Sequence, residues 1–279
     1  MKVYFNGNYI EKENVSISPD DRGFLYADGV YEVIRSYHGR IFMLKEHLDR
    51  LKYSLGELRI NYPEVYEIRQ ILENLIFQNQ LETQDITFYI QITRGVYQRK
   101  LKFPPAHVTP TVYICPNPVD PDLVAYQKGV KAITVEDIRW GRCDIKTIGL
   151  LPNALAQQQA AEAGCQIALF IKNGLITEGT HVGVFGIKDG KLITHPGGKA
   201  ILPSITRGVV TGLCKKLNIE IIEKPVEHAK VYDLDELFIV GTTPEVTPVL
   251  ELDGKKIHDG APGNLTLKLQ KAFKDLIKS

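Results

Sequence analysis

The chain has 279 residues, 44% of them hydrophobic, with 34 basic residues against 33 acidic and a formal net charge of +1. That length can bury a substantial core in one large domain or two modest ones. The even charge balance lacks the basic excess that points to nucleic acid or an anionic membrane. From the N-terminus, Met1 to Gly7 turns polar too soon for a signal peptide. Val3-Tyr4-Phe5 and Tyr9-Ile10 flank Asn6-Gly7-Asn8, so residues 3 to 17 read as a short hairpin. Ser18 to Gly29 is rich in turn formers and acids and reads as a structured loop. Val30 to Tyr37 is a strand with Tyr31, Val33 and Arg35 on one face and Glu32, Ile34 and Ser36 on the other. His38-Gly39 turns it into Arg40 to Leu44.

An amphipathic helix follows, with Leu44, His47/Leu48, Leu51, Leu55 and Leu58 at three- and four-residue steps. Arg50 lies beside that stripe, and on pattern alone it is a solvated helix arginine. A second helix runs from Pro63 to Gln78, and Ile86 to Thr93 is a strand. Arg94 to Pro104 is a basic loop suited to an acidic substrate. After the strand Thr111 to Ile114, the prolines of Cys115 to Pro121 make the best linker, and the domain boundary is placed there, dividing 1–117 from 118–279.

Beyond the linker come a strand over Gly129 to Val135 and a helix from Leu151 to Gly164. Asn173-Gly174 and Asp189-Gly190 mark two hairpins, Ile167 to Glu178 and Val182 to Thr194. A helix then reaches Leu217. Ile219 to Ile222 and Glu236 to Val240 are strands, Asp253-Gly254 turns a hairpin, and Pro262 to Lys278 closes the chain as a helix. No apolar run reaches the ~20 residues of a membrane helix. Cys115, Cys143, Cys165 and Cys214 form no CxxC pair and read as reduced thiols of a cytoplasmic protein. The seven histidines lack ligand spacing, so no metal is expected.

Three features carry chemistry. Lys146 sits after a strand and before a helix, where a lysine amine can form a Schiff base. Glu178 ends a hairpin strand and can keep a pyridine nitrogen protonated. Ser204-Ile205-Thr206 opens a helix and Gly241-Thr242-Thr243 ends a strand; both turns suit a phosphate, to which Arg50 can add charge-assisted bonds. No GxGxxG or GxxxxGK[ST] loop is present, which favours a small phosphorylated cofactor over a nucleotide.

The whole pattern resembles the fold-type IV pyridoxal-phosphate aminotransferases, and within them the D-amino-acid transaminases. The matches run from Asp21-Arg22-Gly23-Phe24 and Asp28 to Arg35 through Glu46-His47-Leu48-Asp49-Arg50-Leu51 and Cys143-Asp144-Ile145-Lys146. They continue through Thr177-Glu178-Gly179 and Leu202 to Arg207 to Thr242-Thr243-Pro244-Glu245. The resemblance implies an α/β (α+β) fold with a small N-terminal α/β domain and a larger, barrel-like C-terminal α/β domain that binds pyridoxal 5'-phosphate. It implies a homodimer and small amino-acid and 2-oxo-acid substrates. Lys146 is then the Schiff-base lysine and proton shuttle, and Glu178 pairs with the pyridine nitrogen. Arg50, Ile205, Thr206 and Thr242 hold the phosphate, and Leu202 packs on the ring. Tyr31 and Arg99 bind the substrate carboxylate, Arg99 reaching across the dimer; Val33, His181 and Thr243 are further candidate substrate contacts.

Two departures bear on substrate. Leu101 stands where the family's loop has a carboxylate-trap histidine, and Gln98 replaces a proline. After Glu178-Gly179, Thr180-His181-Val182-Gly183 replaces a serine-rich stretch. The leading expectation is transfer from D-alanine or another D-amino acid to 2-oxoglutarate, giving D-glutamate. Leu101 favours the alternative of an (R)-amine or branched-chain L-amino-acid transaminase. An aminodeoxychorismate lyase ranks third. A non-catalytic binding protein is disfavoured by the retained Lys146 and Glu178.

Overall fold

Asn6 and Gly7 both take positive φ, 46° and 92°, which matches a two-residue turn to the twist of the strands beside it. They join β1 (Lys2–Phe5) to β2 (Asn8–Glu11). The computed structural model describes residues 1–119 and 128–278. After the hairpin come α1 (Arg22–Tyr26), β3 (Gly29–Tyr37), β4 (Arg40–Ile41), α2 (Leu44–Glu57) and α3 (Ile68–Gln78), the last entered through a 3-10 turn at Pro63–Glu67. β5 (Ile86–Thr93) and β6 (Thr111–Pro118) complete an antiparallel sheet in the order β2-β1-β6-β5-β3-β4. The apolar stripes of α2 and α3 bury Leu48, Leu51, Leu72 and Leu75 in one core with Ile34 and Phe88 of the sheet.

Two expectations change here. The loop over Ser18 to Gly29 contains α1, capped by the Asp21 carboxylate, which accepts from the Gly23 N–H at 2.7 Å, and ended by Ala27 in the left-handed region. One turn of helix leaves no periodicity to read. The linker expected over Cys115 to Pro121 is strand as far as Pro118, and Asp120 and Pro121 lie outside the described residues. Its prolines are tolerated because β1 pairs only with Tyr113 and Ile114, so the far end of β6 is an edge.

The rest of the chain supplies β7 (Val130–Glu136), α4 (Leu151–Glu162), β8 (Ile167–Lys172), β9 (Leu175–Gly179), β10 (Gly183–Lys188) and β11 (Lys191–Thr194). It continues with α5 (Ile205–Lys216), β12 (Ile221–Glu223), β13 (Val226–Glu227), β14 (Glu236–Gly241), β15 (Glu245–Leu252), β16 (Lys255–Lys256) and α6 (Asn264–Lys278). The described strands form a curled mixed sheet in the order β12-β11-β10-β14-β15-β7-β8-β9-β13, with β16 on β15. β8 shows why its sequence is a continuous apolar run. Ala156 and Ala160 of α4 cover Ala168 and Phe170, while Ile167 and Leu169 face the core on the other side.

The described residues fall into two compact units. The first holds Met1–Val119 together with Ile145–Leu150, and the second holds the remainder. A single division at 117/118 therefore misses one excursion of the chain. Ile145 is buried in the first unit's core, and the Tyr31 N–H donates to the Lys146 carbonyl at 3.0 Å. The Ile148 N–H donates to the Gly29 carbonyl at 3.1 Å, and Val30 bridges Thr147. β4 pairs β3 only at Ser36 and Tyr37, so the Gly29–Tyr31 end has backbone groups that this segment satisfies.

Candidate active site

The predicted residues divide between the two units. In the first, α2 carries His47, Arg50 and Ser54 on one buried face, under the inner face of β3. Arg50 is only 8% exposed, against the solvated position its place beside the stripe suggests. The cause is Glu32, fully buried on β3. It accepts from Arg50 Nε and from Arg50 Nη2, both at 2.7 Å, and lies 2.8 Å from His47 Nδ1. Burial alone would raise the Glu32 pKa, but the charge and hydrogen bonds of Arg50, helped by His47, outweigh it and hold the carboxyl at about 2. An ionised carboxylate only accepts, so His47 carries its proton on Nδ1. Burial lowers the His47 pKa, against the pull of Glu32, and favours the neutral ring.

A pH dependence follows. Glu32 titrates at 4.5 when unfolded and at about 2 when folded. Its contribution to stability is complete above 4.5 and is lost as the pH falls toward 2. We expect the stability gap between wild type and Glu32→Gln, measured by urea unfolding, to be smaller at about pH 3 than at about pH 6. A gap that widens on acidification would contradict the pairing.

Ser54, one turn beyond Arg50, accepts from the Lys146 backbone N–H at 3.1 Å. With Tyr31 N–H on its carbonyl, Lys146 has both backbone groups pinned. Its side chain is half-buried, with Nζ 4.1 Å from the centroid of the Tyr31 ring. The segment around it, 137–150, has no regular secondary structure, so Lys146 does not directly follow a strand as its sequence suggested. Tyr31 packs against Tyr89, ring centroids 5.9 Å apart, and Val33 is half-buried on the same face. Arg99 is exposed in its loop, with its guanidinium 5.8 Å from the Tyr26 ring centroid. Leu101 is 83% exposed.

In the second unit, Glu178 ends β9 and is buried. Arg139 Nη1 donates to its Oε1, and the Leu202 N–H donates to its Oε2 at 3.0 Å. Arg139 also forks onto Asp137, Nε to Oδ1 at 2.9 Å and Nη2 to Oδ2 at 2.8 Å, and lies 4.2 Å from the Phe170 ring centroid. Burial would raise the Asp137 pKa, but Arg139 more than offsets it and the carboxyl sits below its ordinary value. Leu202 leads into the N-terminus of α5, where Ser204 Oγ accepts from the Arg207 N–H at 3.2 Å. Ile205 and Thr206 are the first helical residues, so their N–H groups have no intrahelical acceptor and suit an anion. Thr242 and Thr243 are half-buried in the turn between β14 and β15, and Glu245 after them takes φ 55°. His181 is exposed, with Nδ1 3.1 Å from Thr180 Oγ1.

Glu32, His47, Ser54, Asp137 and Arg139 were missed as site residues. Glu32 had a readable signal: an acid on the inward face of an apolar strand requires a partner. Arg139 had none that pointed to Glu178, which lies thirty-nine residues away and is brought to it by the fold.

The family model for class IV amino-transferases matches residues 29–252. The chain is a class IV aminotransferase. It is 41% identical to the D-alanine aminotransferase of Bacillus licheniformis and 38% identical to that of Staphylococcus aureus (strain N315), each over 100% of this chain and 98% of the relative. Among solved structures, the branched-chain amino acid aminotransferase from Escherichia coli matches with a TM-score of 0.89 and 28% identity, over 99% of this chain and 94% of that one. A T.th. branched-chain amino acid aminotransferase complexed with N-(5'-phosphopyridoxyl)-L-glutamate matches with a TM-score of 0.89 and 26% identity, over 99% and 93%. Class IV aminotransferases depend on pyridoxal phosphate. The aminotransferase's own groups suit that cofactor: a half-buried amine, a buried carboxylate locked by Arg139, and a helix start whose first N–H groups have no intrahelical acceptor. No helix among the described residues is long and apolar enough to cross a membrane.

Proposed function

We propose that this aminotransferase moves the amino group of D-alanine, or another D-amino acid, to 2-oxoglutarate, giving a 2-oxo acid and D-glutamate. It does so as a cytoplasmic homodimer, with domains dividing near residue 118 and the segment 145–150 lent to the N-terminal one. The observation that carries the reading is the setting of Lys146. Its backbone is pinned from both sides while its amine is left on the Tyr31 face. The donor class rests on the full-length likeness to proteins named D-alanine aminotransferase.

Bound pyridoxal phosphate supplies an aldehyde for the amino group and an electron-withdrawing ring that stabilises negative charge at the substrate Cα. Lys146 Nζ would hold the cofactor through its aldehyde, and the same amine would carry the proton at the substrate Cα. Glu178 would pair with the ring nitrogen, and Arg139 fixes that carboxylate. Ile205 and Thr206 N–H groups, Thr242 and Arg50 would bind the phosphate, and Leu202 would pack on the ring. Tyr31 and Arg99 bind the substrate carboxylate, with Val33, His181 and Thr243 shaping the substrate's surroundings.

Arg99→Ala is expected to raise KM for the oxo acid about ten-fold or more while cofactor affinity holds. Equal losses in both would make Arg99 structural. Leu101 favours a second reading. An exposed leucine at the trap position cannot donate a hydrogen bond to a carboxylate and accepts a donor without one, as an (R)-amine or branched-chain L-amino-acid transaminase would use. Stopped-flow half-reactions with D-alanine, L-leucine and (R)-1-phenylethylamine separate the two. Conversion by D-alanine alone supports the first reading, and conversion chiefly by the others replaces it.

A further inference from the structure

The inward face of β3 carries a charge that the chemistry above does not use. Glu32 lies between Val30 and Ile34 on a face that is otherwise core, and it accepts from three donors. Burying a carboxylate is costly, and an apolar side chain of similar volume would fill this seam at least as well for stability. The carboxylate does one thing an apolar residue does not. Its two oxygens take Arg50 Nε and Nη2 in parallel, which fixes the guanidinium plane and its direction. His47, one turn earlier on α2, fixes the carboxylate in turn. Its Nδ1–H is committed to Glu32 Oε2 because burial favours the neutral ring and Glu32 is ionised.

An arginine left to itself on a helix surface gives up side-chain rotamer freedom when it is immobilised on a ligand. Arg50 has given up much of it already, inside the folded chain. We propose that Glu32, with His47 behind it, is the positioning residue that preorganises Arg50 for the cofactor phosphate. Glu32 does not itself touch the cofactor. The inference rests on the reading of Arg50 as a phosphate ligand. Its consequence is selective: the contribution of Glu32 is felt only by ligands that carry the phosphate.

The test uses the full-length apoprotein titrated with pyridoxal 5'-phosphate and, separately, with pyridoxal, which lacks the phosphate. Binding is followed by visible absorbance, so no turnover is involved. Glu32→Gln keeps the shape and removes the charge. It should weaken pyridoxal-phosphate binding about ten-fold and change pyridoxal binding by less than about two-fold. His47→Asn leaves both Arg50 bonds in place and should shift the same ratio in the same direction by less. Equal weakening toward both ligands would mean that Glu32 is merely structural. Unchanged or tighter pyridoxal-phosphate binding would mean that Arg50 needs no positioning. Either result overturns the proposal. If Glu32→Gln does not fold, His47→Asn decides, and an unchanged ratio there overturns it. A wild type that binds the two ligands equally would instead sink the reading of Arg50 as a phosphate ligand, and the inference with it.

Discussion

Lys146→Ala should lower transamination by about four orders of magnitude or more while the protein still folds. The size of the effect comes from losing two functions at one atom, the covalent hold on the cofactor and the proton transfer at Cα. The survival of the fold comes from what the side chain does not do. The two docking bonds at Lys146 use its backbone, N–H to Ser54 and carbonyl from Tyr31, and alanine keeps them. Among the described residues of the first unit, the amine lies over the Tyr31 ring, and a cation over an aromatic face is worth roughly 0.5–2 kcal/mol. The measurement is a single-turnover half-reaction with D-alanine, paired with thermal unfolding. Appreciable turnover in a folded variant would refute the role of Lys146. Added alkylamine should restore part of the rate by supplying the missing base.

Arg139→Ala should have the largest effect on stability, a loss of roughly 3–5 kcal/mol, because it strands two buried carboxylates at once. Arg139 is the shared counter-charge of Asp137 and Glu178 and lies against Phe170. The dependence on pH gives this prediction a sign. Asp137 has its carboxyl held below the ordinary value by Arg139, so wild type loses that stability as the pH falls through the folded value. Without the arginine, burial raises the Asp137 carboxyl instead, and acidification relieves the stranded charge. The stability gap between the two proteins should therefore narrow from neutral pH toward about pH 4. Urea unfolding at both pH values measures it. A gap below about 1 kcal/mol at neutral pH would show that solvent or a rearrangement takes over the role of Arg139. Cofactor binding should also weaken, because Glu178 loses the group that fixes Oε1.

Arg50, Arg139 and Lys146 show how far the sequence reached. Hydrophobic spacing located α2, the helix expected from Pro63 to Gln78 is a 3-10 turn and then α3, and β5 runs over the residues read as strand, Ile86–Thr93. The Asn-Gly and Asp-Gly turns located four hairpins, because φ > 0 at consecutive residues is a local demand that few residue types meet. The class of chemistry was legible for a related reason. A lysine, an acid and hydroxyl-rich turns stand in short ordered motifs that belong to one family, and the match over residues 29–252 bears that family out.

What stayed hidden depended on residues distant in sequence. Arg50 reads as solvated on a helical wheel, since a wheel counts apolar neighbours and cannot see a carboxylate eighteen positions earlier on a strand. Arg139 is two residues from Asp137 but thirty-nine from Glu178, and only the fold brings Glu178 to it. The return of Ile145–Leu150 to the first unit follows from unpaired backbone at one end of β3, which is a property of sheet order. The sequence by itself determined the local elements and the chemical class, because turn geometry, helical periodicity and residue type act over a few neighbours. The tertiary structure alone decided which charges neutralise one another and how Lys146 is held, because those energies arise only when burial removes water from groups far apart in the chain.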